Sequence, residues 1–358
     1  MNTSIISKGS GKNNQKPMEY DHYIALDWSD RNIALARMTR KMTVAKIIEW
    51  DRSDIDIVKD YLMDLKGSII LTIEETTTSQ WLYVEFKDLV NKIIICDPYR
   101  NHLLSEGPKT DKIDASKLCL LLKSDLLKEV YHCNDRLYEY RCLLSAYTDL
   151  VKSGVRIQNQ RSALYRARGY CHKKDHTQGF KQTLDDFPLR EFVVNWQDNV
   201  VERYREDKAA FEEKITKLVS DNRYVKNQTT LPGIGVISAF KIFAIVIQPA
   251  RFRNRGAYLS YCGLVKHEKY SGGRSYGRKK PRYNRILKSV YQSAARIAIM
   301  SGNKPINEYY EYLQQKGLSK KQIEIQIARY MARVSLAMMR NGQKYDPYRW
   351  RKDDVVAA

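Results

Sequence analysis

The chain has 358 residues, enough for two domains, and sets 62 Lys and Arg against 41 Asp and Glu, a formal net charge of +21. Such an excess repels itself unless a polyanion is the working partner, so nucleic acid is the expected ligand. The six cysteines lack C-x-x-C spacing, which argues against a disulfide framework. No apolar run approaches the roughly 20 residues of a membrane span, so a cytoplasmic protein without a membrane partner is expected.

Residues 1–20 have no signal-peptide apolar core and read as a disordered, mildly basic tail. Three strands rich in Ile, Val, Ala and Leu follow at 22–28, 32–39 and 43–50, separated by short polar turns such as SDRN. A helix is expected at 53–65, a strand at 68–74, a helix at 79–90, a strand at 92–96 and, after a Pro- and Gly-containing loop, a helix at 111–125. A meander followed by two helical crossovers is the succession of an RNase H-like α/β domain over 21–130. From 131 to 225 the strand signals vanish. Apolar residues recur at three- and four-residue spacing over 137–168 and 198–221, which predicts two long helices and a coiled-coil arm. Residues 226–345 read as a mainly α-helical domain. It contains a Leu231–Gly235 turn, a helix from 236, a basic loop-rich stretch at 251–284 and helices at 285–300 and 320–341, before a basic tail at 346–358.

Four carboxylates stand where metal-assisted phosphodiester chemistry would need them. Asp27 closes HYIALD (22–27), Glu74 closes SIILTIE (68–74), and Asp111 and Asp114 lie in KTDKID (109–114), three apart on one helix face. Each has an ordinary alternative: Asp27 as a cap of the turn WSDR, Asp111 as a helix cap, Glu74 as a strand-end surface acid. Glu75 competes with Glu74, because the register of the strand is open. Lys109 would touch a phosphate or balance local charge.

Downstream, 257–285 concentrates cations around Ser271-Gly272-Gly273. A serine nucleophile needs an exposed hydroxyl, close backbone approach to phosphate and nearby positive charge, here from Arg274, Arg278, Lys279 and Lys280. Ser275 and Ser260 are rival nucleophiles, and a basic loop that grips phosphate without covalent chemistry is the simpler reading. Leu231-Pro232-Gly233-Ile234-Gly235 has the form of a helix–hairpin–helix turn, with Gly233 and Gly235 bringing backbone amides to a DNA phosphate, or of a plain connector. Cys171, His172 and His176 offer too few ligands at too loose a spacing for zinc. The 25 tyrosines could include some that stack on bases.

The segments IALDWSD (24–30), TIEETT (72–77) and PKTDKIDASKL (108–118) resemble the Asp-Glu-Asp-Asp motif of the DEDD transposases related to the Piv DNA invertase. LPGIGVISA (231–239), FRNRGAYLSYCGL (252–264) and YSGGRSYGR (270–278) resemble the second domain of that family, and the match runs through 22–340 in order. One departure is Glu74-Glu75-Thr76-Thr77, where the family has Glu-x-Thr-Gly. The resemblance implies a RuvC-like N-terminal domain, a coiled-coil arm and a C-terminal transposase domain. It implies Mg²⁺ or Mn²⁺ on Asp27, Glu74, Asp111 and Asp114, and Ser271 as nucleophile in a composite site for DNA recombination. Donor and target DNA, a structured non-coding bridge RNA pairing with both, and a homodimer or homotetramer are implied as partners. Competing expectations are a hydrolytic RuvC-like nuclease, such as a junction resolvase, and a non-catalytic nucleic-acid scaffold.

Overall fold

The structure is a computed structural model and describes residues 19–101, 110–167, 169, 188–279 and 282–348. Lys109, Lys280, the Cys171, His172 and His176 group and most of the two expected tails lie outside these residues. Glu19 and Tyr20, assigned to the N-terminal tail, already belong to the fold: Tyr20 is buried, and Arg40 binds the Glu19 and Tyr20 carbonyls. The chain divides into two compact units, Met1–Glu139 and Tyr140–Ala358.

The first unit is built on a five-stranded sheet in the order β3-β2-β1-β4-β5. Strands β1 (His22–Trp28), β2 (Ile33–Thr39) and β3 (Lys46–Trp50) form an antiparallel meander. Strands β4 (Ile69–Glu74) and β5 (Lys92–Cys96) run parallel to β1, reached through helices α1 (Ile55–Met63) and α2 (Ser79–Phe86). A short helix α3 (Pro98–Asn101) precedes α4 (Asp111–Lys123).

Alternation along each strand sorts the side chains onto two faces. Ile24, Leu26, Leu35 and Leu71 pack on Val58 and Leu62 of α1 and on Leu82 and Phe86 of α2. The opposite face presents Ala25, Ala34, Ala36 and Ile70 to Ala115, Leu118, Cys119 and Leu122 of α4. Its three alanines leave little side-chain height, so α4 lies close over β1 and β2. Burial also pushes the Cys119 thiol up to about 12, so it stays protonated and inert against the sheet. The five described cysteines are free thiols.

Helix α5 (Asp135–Arg166), which lies in the second unit from Tyr140 onward, pairs antiparallel with α6 (Pro188–Val219). Tyr147 donates to Glu212 at 2.6 Å, Gly154 receives the Tyr204 ring, and Arg161 pairs with Asp198. The first members of these pairs are seven residues apart, the heptad interval of a packed helical seam. Helix α6 begins ten residues before the sequence periodicity placed it, at Pro188, whose fixed φ and missing N–H suit a first helical position.

The remaining elements are α7 (Arg223–Gln228), α8 (Val236–Val246), α9 (Arg255–Tyr261), a hairpin of β6 (His267–Ser271) and β7 (Arg274–Lys279), α10 (Arg285–Met300), α11 (Lys304–Gln315) and α12 (Lys320–Asn341). Asparagine side chains at 222, 254, 284 and 303 each accept from an amide in the first turn of the helix that follows. Each cap contributes about 1 kcal/mol and fixes where its helix starts. The core joins α8, α10 and α12 through Phe240, Tyr291, Ala294, Ile327 and Met331. Among the described residues no helix is long and apolar enough to cross a membrane.

Candidate active site

Parallel pairing sets Leu26 beside Ile73, so Asp27 and Glu74 follow one residue later on adjacent strands at the same sheet edge. By parity both belong to the face that carries Ala25 and Ile70, the face under α4. Asp111 and Asp114 extend the buried stripe of α4, one helical repeat before Ala115 and Leu118 respectively, and so reach the same edge.

The capping roles open to Asp27 and Asp111 are filled by other residues. The cap of α4 is Thr110, whose hydroxyl accepts from the Ile113 amide at 3.4 Å, not Asp111. The turn after β1 is organised by Ser29, which accepts from the Arg31 and Asn32 amides and donates to the Asn32 carbonyl at 2.9 Å. Asp27 is left half-buried with no hydrogen bond or ion pair to a described residue. Burial, and then the charges of Asp111, Glu74 and Asp114, raise its pKa to about 6. A half-buried carboxylate in the field of three others concentrates negative charge, the electrostatic condition for holding a cation.

Glu74 and Glu75 turn to different neighbours. Glu74 contributes to the field at Asp27, whereas Glu75 lies 3.6 Å from Nε2 of the nearly buried His132. The donor type fits a hard divalent cation, since all four side chains are carboxylates and Mg²⁺ and Mn²⁺ prefer oxygen. Among the described residues, however, no group of three His, Cys, Asp or Glu converges at coordinating spacing. Mutually repelling carboxylates stand apart, and a cation would have to draw them in.

A neutral side chain also belongs to this edge. Asn32 Nδ2 donates to Asp111 Oδ2 at 2.9 Å, tying the start of β2 to the first turn of α4. The signal was present in the alternation, since Asn32 shares parity with Ala34 and Ala36 and so points toward α4.

The serine segment of the second unit is a tight hairpin, where the sequence reading expected an irregular loop. Ser271 pairs with Arg274 across a two-residue turn in which Gly272 and Gly273 have φ of +55° and +77°. Two successive positive φ values define a type I′ turn, so both glycines have a conformational reason. Ser271 ends β6 at the exposed tip, and its hydroxyl has no hydrogen-bond partner among the described residues. Below it Glu268 accepts from the Tyr270 hydroxyl at 2.5 Å and pairs with Arg278 at 3.2 Å, while Arg274 and Lys279 are exposed cations. Of the rival serines, Ser275 lies on β7 opposite Tyr270 and Ser260 lies in α9.

The Leu231–Gly235 turn links α7 to α8. Gly233 has φ +75°, and a β-carbon there would come within 2.4 Å of the Ala294 carbonyl oxygen in α10. Its role is therefore backbone packing. Gly235 opens α8, and a β-carbon there would meet nothing within 4 Å. Gly235 borders open space at the N-terminus of α8, where a phosphate could approach backbone amides.

Comparison with known proteins gives a consistent picture. The chain is 30% identical over 142 residues to the insertion element IS110 uncharacterized 43.6 kDa protein of Streptomyces coelicolor, covering 39% of this chain and 35% of that protein. It is 29% identical over 119 residues to the insertion element IS116 uncharacterized 44.8 kDa protein of Streptomyces clavuligerus, covering 33% and 30%. The chain thus matches about a third of the length of these curated relatives. Residues 226–311, from α7 through the hairpin to α11, match the family described as Transposase IS116/IS110/IS902. This chain therefore carries, within its second unit, a transposase domain of the IS110/IS116 type.

Proposed function

We propose that the chain is a site-specific DNA transposase or recombinase that cleaves and exchanges DNA strands, with Asp27, Glu74, Asp111 and Asp114 holding Mg²⁺ or Mn²⁺ and Ser271 as nucleophile. The observation that carries this reading is the sheet edge where Asp27 lies in the field of Asp111, Glu74 and Asp114, in a chain with a transposase-type domain. The strand order β3-β2-β1-β4-β5 supports an RNase H or RuvC-like first domain, and the α5–α6 seam supports a coiled-coil arm.

Asp27, Glu74, Asp111 and Asp114 would hold a divalent cation, which when bound would supply Lewis-acid stabilisation of charge developing on the phosphate oxygens. Asp27 and Glu74 act from strand ends and Asp111 and Asp114 from a helix turn, with Asn32 orienting Asp111. The Ser271 Oγ forms a bond to phosphorus while the bond from phosphorus to the departing deoxyribose oxygen breaks. The serine proton passes to solvent and the departing oxygen takes one up. Arg274 supplies positive charge beside the serine. Exchange reverses these events, with the hydroxyl of another strand end attacking phosphorus and Ser271 leaving. A structured non-coding RNA pairing with donor and target DNA, and a homodimer or homotetramer, complete the reading.

The test combines the protein with donor and target DNA, Mg²⁺ and RNA transcribed from the flanks of its gene. Wild type is expected to yield exchanged strands and a protein–DNA adduct stable to detergent. Ser271→Ala is expected to lose both, as is Asp27→Ala. Failure of wild type to give either product removes the proposal. The exposed tip position of Ser271 favours one competitor, a hydrolytic RuvC-like nuclease in which the hairpin only grips DNA. Cutting that persists in Ser271→Ala and disappears in Asp27→Ala would identify it.

A further inference from the structure

A cavity of about 550 Å³ opens at the root of the β6–β7 hairpin, between the segment after α9 and the flanks of α10 and α12. Leu264, Val265, Leu318 and Ile325 give it an apolar lining, and Tyr283 stands in its wall. The Tyr283 ring is held over Gly263, where a β-carbon would come within 2.4 Å of it, and the Lys288 ammonium lies 4.8 Å from the ring centroid. Lys266, Arg278, Lys288 and Arg329 face the cavity against a single acid, Glu268. That acid is already engaged by Tyr270 and Arg278. Lys266 and Lys288 have no carboxylate partner among the described residues.

Two further lining groups point to a ligand with a polar edge. Gln292 of α10 and Gln326 of α12 are half-buried, and their amides make no hydrogen bond to a described residue. Gln322 uses its carbonyl oxygen on the Ser319 amide and hydroxyl, both at 2.8 Å, which leaves its NH₂ available. Arg329 donates to the Leu264 carbonyl at 2.7 Å, which fixes its guanidinium at the cavity wall. Burial, with Arg333 adding like-charge repulsion, lowers its pKa, a tension that a bound anion would relieve.

An apolar ligand would leave Lys266, Lys288 and Arg329 without an anion, and a bare phosphate would leave the apolar wall and two amides unused. A nucleotide satisfies all three. The cavity falls in the size range of sites for small molecules and admits a single base with its sugar, not a duplex. We propose that it holds one unpaired nucleotide of a nucleic-acid strand, with the base against Tyr283 and the apolar wall, Gln292 and Gln326 on the base edge, and the flanking phosphates on Lys266, Lys288 and Arg329. Base stacking on an aromatic ring and amide contacts to base edges are established modes of such recognition. The inference rests on the reading that this chain acts on nucleic acid and adds that it grips a strand through an extruded or unpaired base. DNA and RNA share this chemistry, and the test separates them.

Full-length protein in EDTA is titrated into fluorescein-labelled 12-nucleotide single-stranded DNA, RNA of the same sequence, and the corresponding DNA duplex. Gln292→Ala/Gln326→Ala is expected to lose at least about 10-fold in affinity, or roughly 1.4 kcal/mol, for one or both single strands. The strand affected names the source, and duplex affinity is expected to stay within about 2-fold. Unchanged single-strand affinity, or an equal loss on duplex, overturns the cavity proposal and leaves the DNA-acting reading standing. Wild type that binds none of the three overturns both. As a second measurement independent of any variant, a strand carrying 5-iodouracil is irradiated on the wild-type protein and its crosslinks are mapped. A crosslink at Tyr283 is expected, and a map without it overturns the proposal even if the variant binds weakly.

Discussion

Replacing Asp27 by Asn is expected to make the metal-free protein more stable while abolishing activity. In the folded chain the Asp27 carboxyl titrates at about 6, against 3.8 for an ordinary Asp. The folded state therefore keeps a proton that the unfolded state gives up between these values. Stability contributed at this site falls as pH rises from 3.8 to 6, and the full cost is present above 6. A shift of about 2 units corresponds to an upper bound of about 3 kcal/mol. Solvent reaches part of the carboxyl, so screening reduces this to on the order of 1–2 kcal/mol. Asp27→Asn recovers that amount at pH 7.5 and about half of it at pH 5. Three of the five tryptophans (Trp28, Trp50 and Trp81) lie in the first unit, and Trp28 adjoins Asp27. Tryptophan fluorescence during urea unfolding in EDTA therefore reports on it. A variant less stable than wild type at pH 7.5, or a gain that does not shrink at pH 5, refutes the reasoning. Adding Mg²⁺ is expected to raise the wild-type midpoint and leave the Asn variant unmoved, because only a state that binds the ion gains from it.

Three other outcomes follow from the second unit. Tyr291 links the Tyr258 hydroxyl at 2.6 Å to the Ser335 hydroxyl at 2.7 Å in the buried core. Tyr291→Phe strips a partner from both and is expected to cost roughly 1–3 kcal/mol in urea unfolding. Gly233→Ala meets both a positive φ and the Ala294 backbone and is expected to cost about 2–5 kcal/mol, against at most about 1 kcal/mol for Gly235→Ala. Equal losses at the two positions would contradict this division of roles. Gly273→Ala strains the hairpin turn by about 1–2 kcal/mol, but its β-carbon meets no described atom within 4 Å. Hydrogen exchange is expected to show lost protection in β6 and β7 while the global unfolding midpoint holds.

The first unit was legible in the sequence because its pattern is redundant. Each strand alternates or runs apolar, each crossover is amphipathic, and the order of elements leaves few topologies. All five strands and the helices α1, α2 and α4 stand within a few residues of where the periodicity placed them. The same redundancy located Asp27 and Glu74, because a strand's last residue is fixed by where its apolar run stops. The choice between Glu74 and Glu75 was not legible. It depends on which face β4 turns to α4, and only the pairing of Leu26 with Ile73 decides that. Helices α7 and α9, at six and seven residues, have too few turns for periodicity to register, whereas the 12-residue α11 carries it at Ile306, Tyr309 and Leu313. For α7 and α9 the Asn caps at 222 and 254 were the usable signal.

The hairpin around Ser271 shows a different limit, set by residues that answer two demands at once. Gly272-Gly273 suits close phosphate approach, and it equally suits the two positive φ values of a type I′ turn. Flanking runs such as HEKYS and RSYGRK lack the apolar alternation of a packed strand because neither face is covered. A two-stranded ribbon of this kind is only marginally stable alone. Here its root is closed by the Glu268–Arg278 pair, and its tip carries the serine into solvent. An exposed hydroxyl with no neighbouring base is a poor nucleophile by itself. Its chemistry has to come from whatever phosphate and cation are brought to it, which is why Ser271→Ala and Asp27→Ala must fail together if they share one reaction. Adduct formation that survives Asp27→Ala would separate the serine from the carboxylates and leave the hairpin with a chemistry of its own.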